Sequence, residues 1–230
     1  MENNIIQLDA AAETQRFMVK VYAWMSLALA ITGFTAVFTA GNASLFSLIF
    51  SQSWVWIGLI ILEFVLVAYL SMWIAKMSAQ RATIVFILYS VLNGLTLSII
   101  FLVYTTGSIA STFFVTAGTF AVMSAYGYLT KSDLSKWGDI LFMGLIGIII
   151  ASIVNYFMQS ETLYAIITYI GALIFVALTA YDTQKIKTMN IIGNEGTDDD
   201  KKEAIMGALT LYLDFINLFL YLLRLLGRRR

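Results

Sequence analysis

The chain has 230 residues, of which 60% are hydrophobic and 12% charged, and its 14 Lys plus Arg balance 14 Asp plus Glu. That composition describes a membrane protein, and a net charge of zero calls for neither nucleic acid nor an acidic substrate. With no Cys, His or Pro, thiol and imidazole nucleophiles, disulfides, proline kinks and haem or zinc held by Cys or His are excluded, leaving carboxylates to carry chemistry.

A helix needs about 20 mainly apolar residues to cross the hydrocarbon core. The opening "MENNIIQLDAAAETQRF" is polar and mildly acidic, so residues 1–20 read as a tail and not as a cleavable signal. Val21–Ala40 is the first predicted span, and Trp54–Ala75, which contains Glu63, the second. Ala82–Thr130 runs 49 residues without a charge, too long for one crossing, and Tyr104-Thr-Thr-Gly-Ser108 supplies the break between a third and a fourth span. Ile140–Ser160 and Thr162–Tyr181 follow, and Ala204–Leu223, with Asp214 inside it, is the seventh. The expected architecture is all-α: one seven-helix membrane domain over residues 21–226, followed by a basic tail at 227–230.

Basic residues set the orientation. Arg16 and Lys20 lie in the tail, Lys76 and Arg81 in the second loop, Lys131 and Lys136 in the fourth, and Lys185, Lys187, Lys201 and Lys202 in the sixth. The other loops hold none, which places the N-terminus in the cytoplasm. Arg228, Arg229 and Arg230 resist this scheme. Either they snorkel at the outer headgroups or the seventh segment turns back, and the expectation is that it crosses.

Helical spacing gathers Gly207, Thr210, Asp214, Asn217 and Tyr221 into one polar stripe on the seventh span, and Thr168, Gly171, Thr179 and Asp182 into another on the sixth. On the fifth, Gly144, Gly147, Ala151 and Asn155 form a small-residue seam that reads as packing. Glu63 stands alone on an otherwise apolar face, and the third span contributes Asn93 with Ser90 and Ser98. The sixth loop, "NIIGNEGTDDDKKE", reads as a solvated linker whose acids balance neighbouring lysines, because the spacing of a calcium loop is missing.

An ionisable group inside a span costs roughly 2.5–3.5 kcal/mol on insertion scales, so a functional role is the default reading; the alternative is a structural hydrogen bond between helices. If Asp182 and Asp214 approach each other, two like charges cannot both ionise comfortably, and the pair would share a proton and titrate as a unit. Ionised, it would offer hard oxygen ligands suited to Ca²⁺, with Asn217, Thr210 and water completing the shell.

"ITYIGALIFVALTAYDTQKIK" (Ile167–Lys187) and "GALTLYLDFINLFLYLLRLLG" (Gly207–Gly227) closely resemble the last two helices of the Bax inhibitor family, the transmembrane Bax-inhibitor-motif proteins, in its bacterial inner-membrane branch. The resemblance runs from about Tyr22 onward. It implies a seven-helix bundle with the last helix central, acting as a pH-sensitive calcium leak whose sensor aspartates match Asp182 and Asp214. It also implies a basic latch near the end of the second helix, for which Lys76 and Arg81 are the candidates, and an acid in that helix, matching Glu63.

Two other classes stand beside this reading. Paired aspartates on adjacent helices also resemble presenilin-type intramembrane proteases, but Leu-Tyr-Leu-Asp replaces their Gly-x-Gly-Asp, and their Pro-Ala-Leu motif needs a proline. A regulator that binds a membrane protease or another membrane complex is compatible with everything above. A retinal pigment is excluded, since no lysine lies between Ala204 and Leu223. The sequence therefore leads to a non-enzymatic channel or transporter of the bacterial inner membrane. No tightly bound cofactor is expected, and the partners are lipid, protons, calcium as permeant or regulatory ion, and a membrane protein such as a protease.

Overall fold

A computed structural model describes the backbone from residue 2 to residue 230 and the side chains from Asp9 onward. The elements are α1 (Glu2–Gly41), α2 (Ala43–Phe50), α3 (Ser53–Trp73) ending in a 3-10 turn at Ile74–Lys76, α4 (Ala79–Leu97), α5 (Ile100–Val103), α6 (Thr106–Leu129), α7 (Ser135–Met158), α8 (Glu161–Met189) and α9 (Asp198–Leu226). Among the described residues seven stretches are long and apolar enough to cross a membrane, and each overlaps a predicted span, the fourth and fifth ending earlier than expected, at Leu129 and Met158. The molecule is an all-α integral membrane protein, and its last span is the most buried of the seven, 61% against 6% for the second.

Helix ends follow from short polar side chains. Asn42 accepts from Leu45 N at the start of α2, Ser78 from Arg81 N at the start of α4, and Thr105 from Ser108 N at the start of α6. With no proline to end it, α1 continues through the polar residues that the sequence reading set apart as a tail. The break before the fourth span is narrower than expected, because the Thr105 cap lets Thr106–Ser108 join α6. The sixth loop is shorter too. Gly193 and Gly196 adopt φ of 92° and 83°, which favour glycine, whereas Asp198–Glu203 already form the first turns of α9. Three aspartates in that first turn complement the helix dipole, and Thr197 Oγ1 accepts from Asp200 N at 3.2 Å.

The chain divides into two compact units, residues 1–103 with 187–212, and residues 104–186 with 213–230. In the first, α4 lies so close to α1 that a Cβ on Gly94 would stand 2.6 Å from Thr32 O. The acids of the sixth loop correct the expectation made for them. Only Asp199 pairs with a neighbouring lysine, Lys202, at 2.7 Å. Glu195 instead takes a bidentate grip from Arg16 (2.8 and 2.9 Å), buried Asp200 pairs with Lys20 at 2.8 Å, and Asp198 accepts from Ala79 N at 3.0 Å, adding a cap to α4. Glu13 closes the strap by accepting from Gly193 N at 2.8 Å.

The Arg16 hydrogen bonds hold the Glu195 carboxyl below its usual range. A depressed folded value contributes stability above the unfolded pKa, about 4.3, and that stability is lost as pH falls through the folded one. Thermal unfolding of Glu195→Gln is therefore expected to fall below the native protein at pH 7, with the gap closing below pH about 4. A gap that ignores pH would contradict the assignment.

In the second unit α8 is packed on several sides. Gly127 of α6 meets the Ala180 backbone, Gly138 of α7 meets the Tyr181 ring, and Gly171 meets the Tyr221 ring of α9. Leu141, Phe175, Leu178 and Leu218 fill the core between α7, α8 and α9. The small-residue seam on α7 is only partly a packing surface: Gly144 meets Ile174, but Gly147 has nothing within 4 Å. Beyond α9, Thr105 N donates to Arg228 O (3.0 Å), Arg228 N donates to Ser108 Oγ (2.9 Å), and Tyr104 pairs with Arg229. The far end of α9 thus sits at the third loop. With 29 residues α9 is about 43 Å long, enough to cross without a turn back.

Candidate functional site

The polar stripe on α8 is buried, as its spacing required: Thr168, Gly171, Thr179 and Asp182 all face protein. Its hydroxyls are largely self-sufficient. Thr168 donates to Tyr164 O (2.7 Å), Thr179 to Phe175 O (2.8 Å) and Thr183 to Thr179 O (2.7 Å), and Thr183 Oγ1 also meets Ser124 Oγ of α6 at 2.8 Å. Asp182 has no such local outlet, and neither has Asp214 on α9.

The two carboxyl groups face one another within hydrogen-bonding reach, and both are buried, 9% exposed for Asp182 and 5% for Asp214. Asp214 Oδ2 has no hydrogen-bond partner. Two ionised carboxylates cannot satisfy each other, because neither carries a donor; a single proton converts the same contact into a hydrogen bond. Lys185, one turn along α8 from Asp182, is the cation that acts on it electrostatically. The sequence counts Lys185 as a basic residue of the sixth loop, and its i, i+3 spacing from Asp182 was the signal that it also bears on the pair. Gln184 fixes this end of α8 under the fourth loop, accepting from Leu134 N at 2.8 Å and donating to Ser132 O at 2.9 Å.

The expected supporting residues divide. Thr210 and Asn217 donate to carbonyls of their own helix, Met206 O at 3.1 Å and Leu213 O at 2.8 Å, leaving their oxygens as acceptors. Tyr221 is a packing residue, stacked on Phe175 at 5.7 Å. Among the described residues no group of three or more metal-ligating side chains occurs. Ca²⁺ takes six to eight oxygens, more than the two carboxyl groups alone provide.

Glu63 belongs to the first unit, and although it stands alone on the apolar face of α3, it finds its partners on α4. Thr96 Oγ1 donates to it at 2.7 Å and Asn93 Nδ2 at 3.3 Å. Tyr212 OH donates to Asn93 Oδ1 (3.0 Å) and lies 2.7 Å from Thr32 Oγ1, a contact in which either hydroxyl can donate, and Thr32 Oγ1 also donates to Ser90 O at 2.9 Å. Glu63, Asn93, Tyr212 and Thr32 thus form a hydrogen-bonded chain across α3, α4, α9 and α1. Ser90 and Ser98 spend their hydroxyls on Phe86 O and Leu95 O of their own helix. Lys76 and Arg81, the latch candidates, are both exposed on the first unit and form no ion pair among the described residues.

Fold and site together define a class, the polytopic helical membrane proteins built around a carboxylate pair on their last two spans. The family model described as inhibitor of apoptosis-promoting Bax1 matches residues 14–230, and the chain belongs to that Bax inhibitor family. It is 53% identical to the inner membrane protein YbhL of Escherichia coli, over 99% of this chain and 97% of that one. An uncharacterized protein of Borreliella burgdorferi is 48% identical over 94% and 93% of the two chains. An uncharacterized membrane protein of Streptococcus pyogenes is 33% identical over 99% of both.

Proposed function

We propose that the chain is a pH-sensitive leak pathway for calcium or a similar cation in the bacterial inner membrane, gated by the Asp182–Asp214 pair. The observation that carries the reading is the facing of two buried carboxyls inside spans, one with an oxygen that no donor reaches. With one proton the pair is bridged and α8 and α9 are tied. With none, the site holds two like charges that only a cation or a basic side chain compensates. Lys185 and the latch candidates Lys76 and Arg81 are the basic groups we assign to that role. The inner-membrane location is carried over from the Escherichia coli relative, an inner membrane protein.

The test is Ca²⁺ flux into liposomes carrying the purified chain, scanned across pH. Protein-dependent flux with a pH midpoint supports the reading, and flux that matches empty liposomes at every pH overturns it. The same preparation is expected to leave a transmembrane peptide uncut; cleavage that disappears in Asp214→Asn would move the assignment to an aspartyl protease.

The orientation is testable on this Cys-free chain. Single cysteines at the exposed positions Ser47 and Thr106 are expected to label from outside, and one at exposed Ser132 from inside. Labelling of Ser132→Cys from outside would reverse the topology.

A further inference from the structure

Four guanidiniums fall within the last seven residues: Arg224, Arg228, Arg229 and Arg230, all exposed. None forms an ion pair among the described residues, and Glu161, the acid that the sequence places at this end of the second unit, is in none either. Arg224 lies over the Tyr221 ring at 5.2 Å. The backbone leading into the other three is held at Arg228 by two hydrogen bonds, from Arg228 N to Ser108 Oγ and from Thr105 N to Arg228 O, the latter being part of the antiparallel Tyr104–Arg229 bridge. The arginines thus end a spanning helix as cations without ion pairs; in the orientation proposed above, that end is on the face where basic residues are ordinarily sparse.

We propose that these arginines form a binding site for the phosphate of an anionic phospholipid. Guanidinium presents a fork of donors that matches phosphate oxygens two at a time, and the ordered strand spares the cost of arranging them. A free phosphate would use the same donors. The lipid is favoured because exposed apolar side chains lie on the two helices that meet at the Arg228–Ser108 contact: Leu226 of α9 is 56% exposed and Phe114, further along α6 from Ser108, 73%, a seat that acyl chains need and a small anion does not. The inference stands apart from the aspartate pair and does not depend on ion flux.

The experiment is native mass spectrometry of the full chain in detergent containing equal amounts of phosphatidylglycerol and phosphatidylcholine. Retained phosphatidylglycerol is expected to exceed phosphatidylcholine, and the triple variant Arg228→Gln, Arg229→Gln, Arg230→Gln is expected to lose that preference, by about fivefold per arginine removed. Two controls keep the result interpretable. Arg228→Lys, Arg229→Lys, Arg230→Lys retains the charge and is expected to retain much of the preference, while Lys131→Gln with Lys136→Gln removes charge at the fourth loop and is expected to leave the arginine-dependent share unchanged. Equal retention of both lipids by the native chain would overturn the proposal, as would native-like retention in the Gln triple. Loss in the Lys triple as complete as in the Gln triple, with thermal unfolding unchanged in both, would assign the preference to the guanidinium fork, whereas an equally lowered unfolding temperature in both would trace it to a displaced strand and overturn the proposal. Displacement of the lipid by inorganic phosphate at equal concentration would make this a small-anion site instead.

Discussion

Asp182→Asn and Asp214→Asn are each expected to shift the pH midpoint of Ca²⁺ flux by about one to three units or to abolish the response, the size of effect that a close charged neighbour exerts. Asparagine keeps the shape of the side chain and its capacity to hydrogen-bond, but it removes the charge and the exchangeable proton. If the two carboxyls act as one proton site, the second substitution has nothing left to remove, so the double variant should resemble the more severe single one. Additive shifts would show two independent sites. Each variant needs its folded yield measured beside its flux, because a purely structural role predicts the opposite pattern: Asp214→Asn would lose stability, while whatever protein remained folded kept its pH response. Asn217→Ala serves as the comparison on the same stripe. Its amide is already committed to Leu213 O, so its loss removes at most one neutral oxygen from the path.

Gly127→Ala is expected to destabilise the protein by about 1–3 kcal/mol or more, an effect out of proportion to one methyl group. A Cβ at this position would lie 2.9 Å from Ala180 C and Cα and closer still to Ala180 O. These are backbone atoms, so no rotamer change relieves the clash and the two helices must separate. Ala180 stands two residues before Asp182, which puts the displacement beside the pair, and the pH response should change along with the stability. Gly118 lies in the same helix with nothing within 4 Å of its would-be Cβ. Gly118→Ala is therefore expected to be neutral or stabilising by up to about 1 kcal/mol through helix propensity. Thermal unfolding of the two variants in one detergent makes the comparison, and equal stability would refute close packing of α6 on α8.

Much of this was legible in the sequence because apolar length and helical periodicity are local properties. Seven spans and two polar stripes follow from counting, and burial of Thr168, Thr179, Asp182 and Asp214 required no more than steps of three and four residues, whereas the facing of the two carboxyls did not follow from spacing. The partners of Glu63 were not legible. Asn93, Thr96, Tyr212 and Thr32 come from three helices separated by up to 180 residues, and each looks like an ordinary polar residue on its own span. The same reason hid the strap on the sixth loop. Short-range charge balance suggested Lys201 and Lys202, whereas Glu195 and Asp200 pair with Arg16 and Lys20, which are remote in sequence. The basic end posed a puzzle that periodicity could not resolve, and the contacts of Arg228 and Arg229 with the third loop answer it by placing a crossing helix before them.

Infrared difference spectroscopy on proteoliposomes, stepped across pH, tests the shared proton most directly, because it observes the carboxylic acid itself. The native chain is expected to show a protonated-carboxyl band whose midpoint coincides with that of Ca²⁺ flux, and that band should be lost or displaced in Asp182→Asn and Asp214→Asn alike. A band that titrates unchanged in either variant, or a midpoint unrelated to flux, would contradict a gate built on the two aspartates as one unit.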